Sequence, residues 1–278
     1  MTAKPLVLSW QRATRLIGRG RSASAARLLR HALTRFDPAT AFADLDLIAA
    51  ATLFARVGGK TPEAQLDWAM FAERASLRAY SPLNDLSITA AEALASVLQS
   101  QDLTPDAIIV LDRLAGAYDQ REHIPGAVGT RHSLATLLHA DGRCDEAQQQ
   151  ITIAYKRWSL HRDIPQLREW GARIVLSHAG ILAGCGMHHA AIAVLQHREP
   201  VFDALGPVWC VNNGLCAYLD FADVLETHPP VCTRPAQTSG TADSVRTYLA
   251  DHMGLPFEHI AHASPPTTGI YCHRHTAE

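Results

Sequence analysis

Histidine and cysteine are the residues in this chain with the chemistry to ligate a metal or to act as base and nucleophile. There are 15 His and six Cys. His188 and His189 are adjacent, His259 and His262 stand three apart with His252 upstream, and Cys272, His273 and His275 end the chain. A zinc site needs His or Cys donors that converge on one point. The His259/His262 pair supplies two donors, but no third and fourth complete a set, so the expectation is solvated histidines and no metal. Cys144 and Cys185 fall beside turns, and nothing nearby marks either as an activated thiol. The nucleophile elbow, phosphate-binding glycine loop, dinucleotide glycines and zincin pattern are all missing. The expectation is no catalytic residue, no cofactor and no enzyme.

Composition narrows the class. The chain has 278 residues, 47% of them apolar and only 6% aromatic. Alanine and leucine dominate, which favours closely packed helices over a β-sandwich. High Ala with high Arg is also the composition of a GC-rich bacterial genome. A formal charge of -2 gives no general reason to bind nucleic acid or an anionic membrane. The cysteines form no C-x-x-C pair and read as reduced thiols of a cytoplasmic protein. No apolar run approaches the roughly 20 residues of a membrane helix. MTAKPLVLSW is too short for a secretory core. The first 36 residues carry Lys4, Arg12, Arg15, Arg19, Arg21, Arg27, Arg30 and Arg35 with no acid. That start has the composition of a transit peptide, but its register favours the basic outer face of a first helical hairpin.

The elements that must position these groups are helical hairpins. In Gly129–Trp158, Leu134, Ala135 and Leu138 share one helix face, Gly142 makes a turn, and Ala147, Ile151 and Ala154 share the next face. Small residues stand where helices must touch. The same arrangement recurs around Ala25, Ala64, Ala107 and Ala191, with Asp102 replacing the turn glycine in the third hairpin. Successive marks are 39, 43, 40 and 44 residues apart, the signature of a solenoid. Prolines at Pro38, Pro82, Pro125 and Pro165 punctuate the links.

This pattern resembles the tetratricopeptide repeat over residues 6 to 205. The period is longer than that repeat's usual length of about 34 residues, and is similar to the repeats of kinesin light chains and of helical sensor domains in bacterial regulators. The resemblance implies an all-α fold, a right-handed α-solenoid of five or six hairpins whose first helices line a concave groove. Transferred through the register, the groove positions are Trp10, Thr14, Arg56, Glu92, Ser96, Gln99, His132, Thr136, His139 and Asn213. The set is mixed, with apolar contact and a few hydrogen-bonding groups, as a peptide or partner helix would require. The clustered Lys and Asn of the family's carboxylate binders are missing.

The expected organisation is a repeat domain over residues 1–226, a Pro/Thr/Ser-rich linker over 227–241, and a short helical appendage with a loose tail over 242–278. Residues 209–226 read as a sixth first-helix. Residues 245–262 have the spacing of a helix-turn-helix, but Glu258, His259 and His262 stand where base-reading Arg or Lys would be. A capping hairpin fits better. The functional expectation is a non-catalytic scaffold that binds a protein or peptide in its concave groove, with homo-oligomerisation left open. Two alternatives stand beside it: a sensor or oligomerisation module of a bacterial transcription regulator, and a small-ligand-binding protein or enzyme of a biosynthetic pathway.

Overall fold

The computed structural model describes residues 4–194, with short breaks at 43, 59–60, 168–169, 186, 188–189 and 192. The expected sixth first-helix, the linker, the appendage, Asn213 and the histidines at 188–189 and in the tail lie outside the described residues. Within them the chain is all-α. The helices are α1 (Lys4–Ile17), α2 (Ser22–Leu33), α3 (Leu45–Val57), α4 (Pro62–Ala79), α5 (Asp85–Ser100), α6 (Thr104–Gln120), α7 (Ile124–Ala140), α8 (Cys144–Leu160) and α9 (Trp170–Gly184). A 3-10 turn, Pro165–Leu167, precedes α9. No described helix is long and apolar enough to cross a membrane.

The hairpin turns repeat one capping device. A backbone N–H three or four residues past the helix end reaches back five residues to a leucine carbonyl: Arg21 to Leu16 at 2.9 Å, Leu103 to Leu98 at 2.9 Å, Arg143 to Leu138 at 2.8 Å and Met187 to Leu182 at 2.9 Å. This Schellman closure satisfies carbonyls that a helix end leaves orphaned, and it needs a left-handed residue at the bend. Gly20 at φ 71° and Gly142 at φ 79° supply it. Asp102 takes the same conformation at φ 57°, so the sequence substitution leaves the turn intact. The α3–α4 turn differs, leaving α3 through Gly58 at φ 73°.

The chain forms two compact units, Met1–His123 and Ile124–Glu278. In the first, α1 packs on α2, α3 on α4 and α5 on α6, and α2 and α4 pack on the hairpin that follows each. Ala13, Ala25, Ala50, Ala51, Ala72 and Ala90 are fully buried, which lets backbones approach closely. Leu29, Leu33, Leu47, Ile48 and Phe54 fill the space between them, and Trp68 meets Phe71 edge-on at 5.5 Å. One register mark shifts here. In α2, α6 and α8 the buried alanine is the fourth residue of the helix (Ala25, Ala107, Ala147), whereas Ala64 is the third of α4 and only half-buried. Gln65 holds the fourth position and donates from Nε2 to the Ala55 carbonyl at 2.6 Å, while Ala69 and Ala72 make the close contact.

In the second unit α7, α8 and α9 pack mutually. Trp158 lies across Gly171 at the start of α9, and its indole N–H donates to the Leu167 carbonyl at 2.9 Å. A Cβ on Gly171 would stand 2.3 Å from Trp158 Cζ2. Replacing a helical glycine by alanine ordinarily gains up to about 1 kcal/mol. Gly171→Ala is expected instead to lower stability by about 1–3 kcal/mol, because the ring must move out of a packed position. Gly116→Ala in α6, where a Cβ meets nothing within 4 Å, should raise stability by roughly 0.5–1 kcal/mol. Thermal melts of both variants check the pair; shifts of the same sign would refute the Trp158–Gly171 contact.

Candidate functional site

The first helices of the first unit form one layer, with α1 packed directly on α3 and α3 on α5. The second helices α2, α4 and α6 make no comparable contact with one another. Of the groove residues expected from the sequence, this layer carries six. Trp10 on α1 is half-buried, and its indole N–H donates to Asp46 Oδ1 on α3 at 3.0 Å, tying the two helices together. Thr14 is exposed, with its hydroxyl donating to the Trp10 carbonyl at 3.0 Å. Arg56 on α3 is exposed, as are Glu92 and Ser96 on α5; Gln99 is half-buried.

A tyrosine missing from the sequence-based set organises the charges. The Tyr118 hydroxyl on α6 donates to a Glu92 carboxylate oxygen. Burial pushes the phenol pKa well above its ordinary value, and the hydrogen bond and charge of Glu92 push it the same way; the Arg121 and Arg56 guanidiniums pull against them. Arg56 and Glu92, from neighbouring first helices, thus act on one phenol. His123 stacks on the same ring at 5.2 Å, and Arg121 pairs with Asp85 at 2.5 Å. The only sequence signal for Tyr118 was its place near the end of the second helix of the third hairpin.

In the second unit the expected groove residues on α7 separate. Thr136 is half-buried, with its hydroxyl donating to the Ser133 carbonyl at 2.8 Å. His139 is half-buried near the α7 end, and burial lowers its pKa. His132 is only 3% exposed and offers no surface to a partner. Its Nε2 lies 2.7 Å from Ser177 Oγ on α9, and its ring meets Trp170 edge-on at 5.5 Å. The physical reason is that α9 covers this face of α7, so the residue becomes a buried polar contact.

Burial pushes the His132 pKa down to about 4, helped by the Arg173 charge; a backbone hydrogen bond with Arg173 opposes the shift. The folded state therefore binds the proton more weakly than the unfolded chain, whose histidines titrate near 6.5. Stability is fully present above about pH 6.5 and is lost as pH falls towards 4, on the order of 3 kcal/mol in all. Urea denaturation between pH 7 and pH 4 should show this loss, and His132→Gln should flatten it. An unchanged slope in that variant would remove His132 as the cause.

The basic first hairpin remains exposed. Arg12, Arg15, Arg19, Arg21, Arg27 and Arg35 face solvent, and none is ion-paired among the described residues. One set of described side chains could hold a metal: His139, Cys144 and Cys185, whose donor atoms all lie within 4.8 Å of one another. The two cysteines are not at equivalent repeat positions, so periodicity alone did not pair them.

No family model matches the chain, and no curated protein does. Solved structures do. The apo form of RapI superposes with a TM-score of 0.62 at 10% identity, covering 89% of this chain and 84% of that one. A kinesin light chain-like protein of Podosopora anserina, with nearly identical TPR-like repeats, gives 0.58 at 14% identity over 69% of this chain and 92% of its own. BtubC from P. vanneervenii gives 0.55 at 14% identity, with 82% of each chain covered. Identity this low speaks to the fold. Together with the recurring helical hairpins and their repeated caps, it shows that the chain has the fold of the tetratricopeptide-like helical repeat proteins.

Proposed function

We propose that the protein is a non-catalytic scaffold that binds a partner protein or peptide along its first helices. The observation that carries this is the continuous α1–α3–α5 layer with Thr14, Arg56, Glu92, Ser96 and Gln99 displayed on or near its surface. A rigid layer of this kind gives affinity through many small contacts without ordering a loop. Trp10 supplies an amphipathic aromatic surface already anchored by Asp46. Arg56 and Glu92 offer one charge of each sign to a partner backbone or side chain. Tyr118 holds Glu92 in place from behind. In the second unit Thr136 and His139 remain candidates, whereas His132 acts as a structural contact. A cytoplasmic setting suits the thiols of Cys144 and Cys185.

The test uses bulky charge on exposed positions, where folding is undisturbed. Thr14→Arg with Ser96→Arg should abolish capture of the partner retained by the intact chain. Asp106→Arg, on the exposed face of α6, should not. The reading fails if the α6 variant loses the partner and the first-helix variant keeps it, or if the intact chain captures none.

A second reading rests on the exposed arginines of the first hairpin, Arg12, Arg15, Arg19, Arg21, Arg27 and Arg35, which have no ion pair among the described residues and suit an anionic partner. In a regulatory module they would meet DNA or a DNA-bound protein. Affinity for duplex DNA would then fall steeply with salt, with a slope reporting several displaced counterions. No retention on DNA at low salt would dismiss it.

A further inference from the structure

We infer that His139, Cys144 and Cys185 form a binding site for a thiophilic metal ion, best suited to zinc, that clasps the turn of one repeat to the turn of the next. Three elements deliver the donors to one end of the second unit. His139 is in the last turn of α7, Cys144 is the first residue of α8, and Cys185 directly follows α9. The intervening Gly142 bend and its Schellman closure fix the first two relative to each other. The packing of α9 on α7 and α8 brings the third.

The donor set has the right chemistry. Imidazole nitrogen and thiolate sulfur are the zinc ligands of choice, at about 2.0–2.3 Å from the ion, which sets donors roughly 3.5–3.8 Å apart in a tetrahedral shell. Here every donor atom lies within 4.8 Å of the others, so rotamer adjustment of about 1 Å closes the set. Both thiols are buried, Cys144 at 5% and Cys185 at 1% exposure, and neither is a half-cystine. The His139 Nε2 atom is buried with no hydrogen-bond partner. A buried imidazole nitrogen without a partner is costly, and a metal ion would satisfy it.

Charge selects the ion. Binding releases a proton from each thiol to solvent while the neutral imidazole donates its lone pair. Two thiolates and Zn²⁺ give a neutral site, whereas Cu⁺ would leave a net negative charge among buried groups. Cys144 at the α8 N-terminus is also placed where backbone N–H groups favour a thiolate. His139 is only half-buried, so a solvent molecule can complete a four-coordinate shell beside it.

The experiment uses the full chain, reduced, stripped with chelator and reloaded with Zn²⁺ or Co²⁺. The expected result is one ion per chain, and for cobalt a thiolate-to-metal charge-transfer band with tetrahedral ligand-field absorption. Cys144→Ser, Cys185→Ser and His139→Asn should each weaken binding by roughly 100-fold or more. The tail is the competing source of donors, and Cys272→Ser with His273→Asn and His275→Asn should leave binding unchanged. A variant with Cys210, Cys216, Cys232 and Cys272 all changed to Ser keeps the cluster intact, so it answers even if the cluster variants misfold. X-ray absorption on its zinc form should show two sulfurs and at least one imidazole around the ion. The assignment is overturned if the reduced chain takes up no zinc, if the tail variant loses the ion, or if the four-serine variant shows fewer than two sulfur ligands.

Discussion

A helical hairpin with one apolar face has nowhere to bury it except against the next hairpin, and the rest of this structure depends on how closely those hairpins approach. Alanine sets that distance. Ala25, Ala107 and Ala147 occupy the same fourth position of α2, α6 and α8, each fully buried. A side chain one methylene larger would force neighbouring backbones apart and open voids around Leu29, Leu111 and Ile151, which fill the gaps one turn later. Close approach in turn requires an abrupt bend between the two helices of a pair. In the α1–α2, α5–α6 and α7–α8 pairs the Schellman closure provides it at a fixed geometry, so the second helix of each of these pairs starts in a set direction.

This coupling of small residue to bend explains what could be read in advance. Leu138 was visible as the large residue that ends a first helix, and it proves, with its counterparts Leu16, Leu98 and Leu182, to be a carbonyl acceptor of the caps. Gly142 was visible as a turn residue, and Gly20 takes the same conformation. Asp102 was visible as a departure from glycine, and its short polar side chain is among the few that tolerate the left-handed conformation it adopts. The fold was therefore legible because helix face, bend and contact residue are all local. The second hairpin was read less well for the same reason. Gln65 replaces the small residue, so the nearest alanine, Ala64, took its mark although its exposure differs.

Side-chain sites were less legible, since their members come from different repeats. Glu92 belongs to the first-helix surface, but Tyr118, which holds it, lies 26 residues later on the opposite helix of the pair. Trp10 reads as a groove aromatic, yet part of its role is the hydrogen bond to Asp46, 36 residues on. His132 has the spacing of a surface residue on α7. Only the arrival of α9, with Ser177 and Trp170, makes it an interior one. Each of these contacts spans about one repeat or one helix pair, a distance at which sequence periodicity shows that two positions are neighbours but not which side chain covers which.

The second unit shows why that distinction matters. The link from α8 to α9 runs from His161 to residue 169 and includes a 3-10 turn, so a short loop does not enforce the docking of α9. Side chains must do so. At the end where α8 finishes and α9 begins, Trp158 fits over Gly171 and bonds the Leu167 carbonyl. At the opposite end, where α8 begins and α9 finishes, Cys144 and Cys185 come together beside His139. The middle is held by His132 and Ser177 on the facing helices α7 and α9. An antiparallel helix joined through a long link can slide or splay at whichever end lacks a fastener. The indole blocks that at one end by shape. At the other end two thiols and an imidazole are the chemistry in place, and ligation of a common ion fixes direction as well as distance, which a thiol–thiol contact alone does not.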